Sequence, residues 1–177
     1  MANKAETISA NVKTHVGQEE YDQLTNGFGG LGDKPTPAQQ AKRVAPLINR
    51  LHEKYGSEKV EEIMRPCGFS CISDNTIAKA KKLYSDSRDM NEFLSKLNQN
   101  RIGGGKLRID GDKIIGIYEK CYCGLARSAE NLSSDYCYCS AGWFQKLFSS
   151  VFNKNAAVKK VKTILDGADE CVFEIYI

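Results

Sequence analysis

The triplet Gly103-Gly104-Gly105 separates two kinds of hydrophobic pattern, and that change of period constrains the fold more than any single motif. Before it, apolar residues recur every three or four positions. Ala41, Val44, Ala45, Ile48, Leu51 and Tyr55 form one such stripe, followed by Val60, Ile63 and Met64, then Ile77, Ala80, Leu83 and Tyr84, then Met90, Phe93, Leu94 and Leu97. That spacing is one face of a helix. After the triplet the period shortens. Cys171, Phe173, Ile175 and Ile177 alternate with Val172, Glu174 and Tyr176, as side chains do on the two faces of a strand. Leu107–Ile109 and the run from Ile114 flank Asp110-Gly111-Asp112, a hairpin signal, and Val158–Leu165 pairs with Cys171–Ile177 across a turn at 166–169. Between them Trp143, Phe144, Leu147, Phe148, Val151 and Phe152 define one broad amphipathic helix. The class that follows is α+β: a helical N-terminal half, then an antiparallel sheet with one long amphipathic helix packed on it.

Local signals set the boundaries. Thr36-Pro37 starts a helix, with Thr as cap and Pro in the first turn. Pro46 kinks or splits it, Gly56 closes it, and Ser57 caps a shorter helix. Arg65–Cys71, containing Pro66 and Gly68, reads as a bend before a helix capped by Ser73 or Asp74. Another helix spans Arg88 to Asn98, and Ser140 caps the aromatic one. Residues 1–34 read as a polar N-terminal arm and 35–177 as a single α+β domain, with helices in 36–98 and the sheet plus helix in 105–177. Gly27–Gly32 fits G-x-G-x-x-G, but no strand precedes it and Asp33-Lys34-Pro35 follows where a helix should open, so it reads as a turn. Gly103–Gly105 lacks the Gly-Lys-Ser/Thr ending of a phosphate loop and reads as a hinge.

A length of 177 residues with 41% hydrophobic content is enough for one real core. A net charge of +3, with basic clusters only at Lys79, Lys81, Lys82 and at Lys159, Lys160, Lys162, gives no stripe for nucleic acid. The first fifteen residues lack an apolar signal core and no run approaches a membrane span, so a cytoplasmic protein with no membrane partner is expected. A homo-oligomer is compatible with this composition. Seven cysteines in a reducing compartment point to free thiols, metal ligands or catalytic groups, and the odd count argues against a disulfide framework.

The chemistry concentrates in two triplets, Cys121-Tyr122-Cys123 and Cys137-Tyr138-Cys139. Tyr and Cys favour extended chain, so each triplet presents both thiols on one face, and pairing the two as strands gathers four sulfurs. A tetrahedral zinc with Zn–S of ~2.3 Å needs sulfurs roughly 3.8 Å apart. Alternate residues of a strand are about 6.6 Å apart and cross-strand partners about 4.5–5.5 Å. Zinc or iron therefore needs a bulge, or one cysteine per triplet completed by Cys67, Cys71 or Cys171, so Cys67, Cys71, Cys121, Cys123, Cys137, Cys139 and Cys171 are all candidate ligands. Thiolate catalysis competes, with Cys137 or Cys139 as nucleophile. Glu119 shares a face with Ile115, Ile117, Cys121 and Cys123 if the strand stays regular, where it could move protons; a bulge at Gly116 would swap the faces. Arg65 and Arg127 are the nearby cations in sequence. His15 and His52 stand well before the triplets and read as surface or core residues. Cys67 and Cys71, spaced by four, lie just before a helix start that would favour a thiolate, while Cys171 faces an apolar side that keeps its thiol protonated. Simple packing of small hydrophobes is the alternative for every one of these thiols.

Tyr136-Cys137-Tyr138-Cys139 before a helix, Thr163-Ile164-Leu165-Asp166-Gly167, and Cys171-Val172-Phe173 near the end make the last third of the chain resemble the L-2-amino-thiazoline-4-carboxylic acid hydrolase-like family. More loosely it is similar to small-molecule-binding domains of the 4-vinyl reductase type. The resemblance implies helices followed by an antiparallel sheet with a helix packed on it, and small-molecule binding or hydrolysis of a cysteine-derived heterocycle. The first triplet and the Cys67/Cys71 pair lie outside that pattern. Two functions follow: a cysteine-rich domain binding a small ligand or a metal ion (zinc or iron), and a Cys-dependent hydrolase of a small C–N or C–S substrate.

Overall fold

A computed structural model describes residues 3–177. Among these the helices are α1 (Lys4–Val16), α2 (Gln18–Leu24), α3 (Pro37–Cys71), α4 (Asp74–Ser85), α5 (Met90–Gln99), α6 (Gly124–Ser128) and α7 (Tyr138–Phe152). The strands are β1 (Leu107–Asp110), β2 (Lys113–Tyr118), β3 (Ala157–Lys162) and β4 (Cys171–Tyr176), antiparallel throughout in the order β1-β2-β4-β3. The chain is α+β with its helical half first, as the change of period requires. No helix among the described residues is long and apolar enough to cross a membrane.

The N-terminal segment is not a polar arm. The side chain of Asn3 caps α1 by accepting from the Ala5 N–H, and Ala5, Ile8 and Val12 are buried against α3, with Tyr21 and Leu24 of α2 beside them. An apolar stripe only one residue wide per turn, flanked by Lys, Glu and Thr, suffices to dock a helix on a neighbour. Residues 28–34 hold no regular structure, in line with a glycine turn.

Thr36 and Gln39 form a reciprocal capping box at the start of α3. Pro46 neither splits nor ends the helix; the break comes at Gly56, whose φ of 76° favours glycine. The second half then runs through Pro66 to Cys71, so 65–71 is helix rather than a bend. Gly68 serves a different purpose. A Cβ there would lie 2.0 Å from the Cys139 carbonyl oxygen of α7, and one on Gly142 would lie 2.0 Å from the Arg65 carbonyl oxygen of α3. The two helices thus cross backbone against backbone, and each needs glycine at the contact.

Two cores result. One joins α1, α3, α6 and Tyr136; the other packs Phe144, Leu147 and Phe148 of α7 onto Phe173 and Ile175 of β4, closed by Phe93 and Leu97 of α5. Gly116 pairs regularly with Leu107 and Phe173, without a bulge, and leaves room for the Phe144 ring, 2.8 Å from where a Cβ would sit.

Candidate ligand cleft

β2 stops at Tyr118, opposite the first residue of β4, Cys171. Past that pair no strand partner remains for it, so Cys121-Tyr122-Cys123 leaves the sheet as a loop before α6. The second triplet is helical: Ser133 caps a single 3-10 turn over Ser134–Cys137, and α7 follows directly from Tyr138. Ser140 therefore lies inside α7 and caps nothing. Neither triplet lies in a strand, and the paired-strand arrangement of four thiols does not form. Apolar residues at 137, 141, 144, 148 and 151 carry the helical period back into the triplet, and that burial outweighs the weak extended preference of Tyr and Cys.

All seven cysteines are free. They fall into two overlapping neighbourhoods, joined through Cys121 and Cys123 and through Cys137 and Cys139. Cys121, Cys137 and Cys171 perturb one another's ionisation beside Thr163 and Ile164, whose N–H donates to Cys171 Sγ at 3.4 Å. Cys71, Cys123 and Cys139 gather instead around Lys4 of α1. Cys67, one helical turn before Cys71, accepts from Asn11 Nδ2 at 2.9 Å. Among the described residues no three His, Cys, Asp or Glu side chains stand close enough together to hold a metal ion.

Lys4, Cys71 and Cys139 of this neighbourhood line a cleft of about 660 Å³. Its walls are Lys4, Thr7 and Ile8 of α1, Gln40, Met64 and Cys71 of α3, the Asp33–Pro35 loop, and Leu125 with Tyr136. A smaller recess of about 280 Å³ shares Lys4, Cys71, Tyr122 and Cys139 with the cleft, is lined by Cys123, and ends on Tyr118, Gly104 and Trp143. Gly104, φ 89°, is held there because a Cβ would strike the Tyr118 ring at 2.4 Å.

At the junction the Lys4 ammonium donates to Cys123 Sγ at 3.5 Å, and the Tyr136 hydroxyl meets the same sulfur at 3.2 Å. Burial raises the Cys123 pKa, but the Lys4 charge, the Tyr136 hydroxyl and the Ala126 and Leu125 amides together outweigh it, and the net shift is downward. Lys4 shows the counterpart: burial lowers its pKa, while Cys123, Cys71 and Cys139 more than compensate and leave it raised. Burial pushes the Tyr136 phenol well up, so it remains a proton-bearing donor. The arrangement sets an ammonium and a phenol at one thiol and favours that thiol's ionisation.

Of the residues singled out as catalytic from sequence, Glu119 stands outside the cleft, and burial opposes ionisation of Cys137 and Cys139. Glu119 is exposed past the end of β2 and ion-paired with Lys106, not on an apolar face. Burial raises Cys137 to about 12 and Cys67 to about 11. The Cys139 thiol reaches the cleft wall, yet protein encloses it, and burial with the nearby Cys123 holds its pKa well up. Cys71 ends α3 rather than opening α4, and its pKa is raised, first by burial. Cys121 and Cys171 are raised for the same first reason. His52 has a structural partner, Asp135 Oδ2, at 2.6 Å from Nδ1; buried Asp135 is also reached by Lys160 at 3.4 Å. Sequence reasoning gives Lys4 no role, and Tyr136 none beyond its place in the Tyr136–Cys139 motif. The only signal for Lys4 is the stripe at Ala5, Ile8 and Val12, which docks α1 and so brings Lys4 to the thiols.

Fold and site together define an α+β domain with a thiol-floored cleft between its N-terminal helix and its longest helix. The chain belongs to a family of unknown function, DUF6144, whose model matches residues 3–177. No curated protein matches it in sequence. Among solved structures it is similar to the phenol-responsive sensory domain of the transcription activator PoxR, crystallised with phenol, at 12% identity over 99% of this chain and 90% of that one, with a TM-score of 0.46.

Proposed function

We propose that this chain is a small-molecule-binding domain whose ligand occupies the cleft between α1 and α3, its apolar body against Ile8, Met64 and Leu125 and an anionic or carbonyl end at Lys4. The observation that carries this reading is the cleft itself. About 660 Å³ of space, lined by mixed apolar and thiol surface with one half-buried ammonium at its floor, has the size and composition of a small-ligand site. Among the described residues Asn3 Nδ2, a buried donor at the cleft edge, has no hydrogen-bond partner, which adds a second group able to meet a ligand oxygen. The hydrolase implied by the family resemblance has less behind it: neither histidine lines the cleft, and Glu119 stands outside it.

Ligand-observed NMR with benzoate, benzamide and benzylamine tests the reading. Benzoate and benzamide are expected to bind, and benzylamine, repelled by Lys4, to bind least. Ser70→Trp, which projects an indole over the cleft from an exposed position of α3, should abolish the signal. Failure of all three probes, benzylamine as the strongest binder, or binding that survives Ser70→Trp would overturn it.

A further inference from the structure

We infer that Cys123 is a nucleophile that captures alkenes conjugated to a carbonyl group, with the carbonyl oxygen held by Lys4. This rests on the ligand cleft proposed above and names the chemistry of what passes from it, at Lys4, into the adjoining recess that Cys123 lines. Seven thiols are available, and accessibility alone would select Cys71, the exposed one. Electrostatics selects Cys123. It alone has an ammonium at 3.5 Å and a phenol at 3.2 Å, and it alone among the seven has its ionisation favoured rather than opposed. The thiolate is the attacking form of a cysteine, so that difference is one of reactivity.

The surroundings also choose the electrophile. Acyl transfer calls for a base to reload the proton and donors for a tetrahedral oxyanion. Next to Cys123 stand one cation, one weakly acidic hydroxyl and the Leu125 and Ala126 amides, which already meet the sulfur. No histidine or carboxylate is among its partners, which fits conjugate addition. The sulfur forms a bond to the β-carbon and the C=C pair moves to the carbonyl oxygen, giving an enolate beside the Lys4 ammonium. Lys4 supplies the proton that ends on the α-carbon and regains one from water. Thiolate, alkene and one proton combine into a thioether; nothing is oxidised or reduced. Tyr136, donating to sulfur before the attack, holds the thiolate in place without competing for the electrophile. Tyr122, exposed and edge-on to Tyr118 at a centroid distance of 5.4 Å, flanks the entry.

The probe is N-ethylmaleimide, equimolar with the full chain in its native state, followed by peptide mass mapping from about pH 6 to about pH 9, the range over which an ordinary thiol is mostly protonated. Cys123 should be labelled first, at least about tenfold faster than Cys71 at the low end of that range. Lys4→Met should shift the Cys123 rate profile to higher pH and remove most of that preference, with a smaller shift at Cys71, whose ionisation the same ammonium also favours. Tyr136→Phe should do the same to a lesser degree, and it separates loss of a hydrogen bond from loss of fold because it changes only the hydroxyl. Cys71 labelled ahead of Cys123, or a Cys123 profile indifferent to Lys4→Met, would overturn the inference. The ligand reading stands or falls separately: benzoate and benzamide bind through Lys4 and the walls, so Cys123→Ser should keep them while losing all maleimide at that position.

Discussion

Cys67 shows what burial does to a thiol in this protein. Its residue is 3% exposed and its pKa is raised to about 11, burial being the main cause, with the Asn11 amide pulling weakly the other way. Six of the seven cysteines are shifted upward and only Cys123 downward. An unfolded thiol ionises near about pH 8.5, so above that pH the unfolded chain sheds protons that the folded chain still holds, and stability falls as pH rises. For Cys67 the loss runs from about pH 8.5 to its folded value of about 11. The thermal midpoint should therefore decline through that window, and Cys67→Ala, though lower throughout from its small cavity, should decline less steeply. Equal slopes would show that the thiol is not held protonated. Little of this residue-scale pattern is legible in sequence. Cys71 and Cys123 both feel Lys4, yet only Cys123 accepts a hydrogen bond from it, and that ammonium comes from 119 residues away.

The crossing of α3 and α7 is the element on which the site depends, because it sets Cys71 and Cys139 on facing walls. A methyl group on Gly68 or Gly142 meets main-chain oxygen at 2.0 Å, with no flexible side chain to yield. Gly142→Ala should cost about 3 kcal/mol, the upper part of the overpacking range. Gly29→Ala, where nothing lies within 4 Å, should change stability by less than about 0.5 kcal/mol. Chemical denaturation of both variants checks the contrast, and a Gly142→Ala as stable as the wild type would contradict the crossing. At this scale the sequence was read well where the period was long: the Thr36 cap, the Ser73 cap, the stripe of α5 and the Asp110–Asp112 hairpin all stand where spacing and turn chemistry put them. It misleads where glycine and proline read as punctuation. Gly68 marks a close helix contact, and Pro66 sits inside a helix whose packing against α7 overrides its local cost. The triplets failed for a related reason. Local strand preference cannot act where β4 has run out of residues to pair, or where Cys137 already belongs to a buried helical stripe.

At the scale of the whole molecule, two cores meet along α3 and α7, and the cleft opens where α1 lies against the first of them. The fold class could be read from the switch of period at Gly103–Gly105, but the cleft could not, since it exists only once the N-terminal segment docks. Buried Asp135, shared between His52 of α3 and Lys160 of β3, ties the second triplet to both halves and holds Tyr136 at the cleft wall. Methionine positions allow the central claim to be checked directly. Met64 lines the cleft, whereas Met90 packs with the α5–α7 core. With carbon-13 methyl-labelled methionine in the full chain, titration with benzoate should move the Met64 methyl resonance in a saturable way, leave Met90 in place, and lose the effect in Lys4→Met. A Met64 signal that stays fixed while benzoate binds elsewhere, or a shift at Met90 instead, would contradict the account.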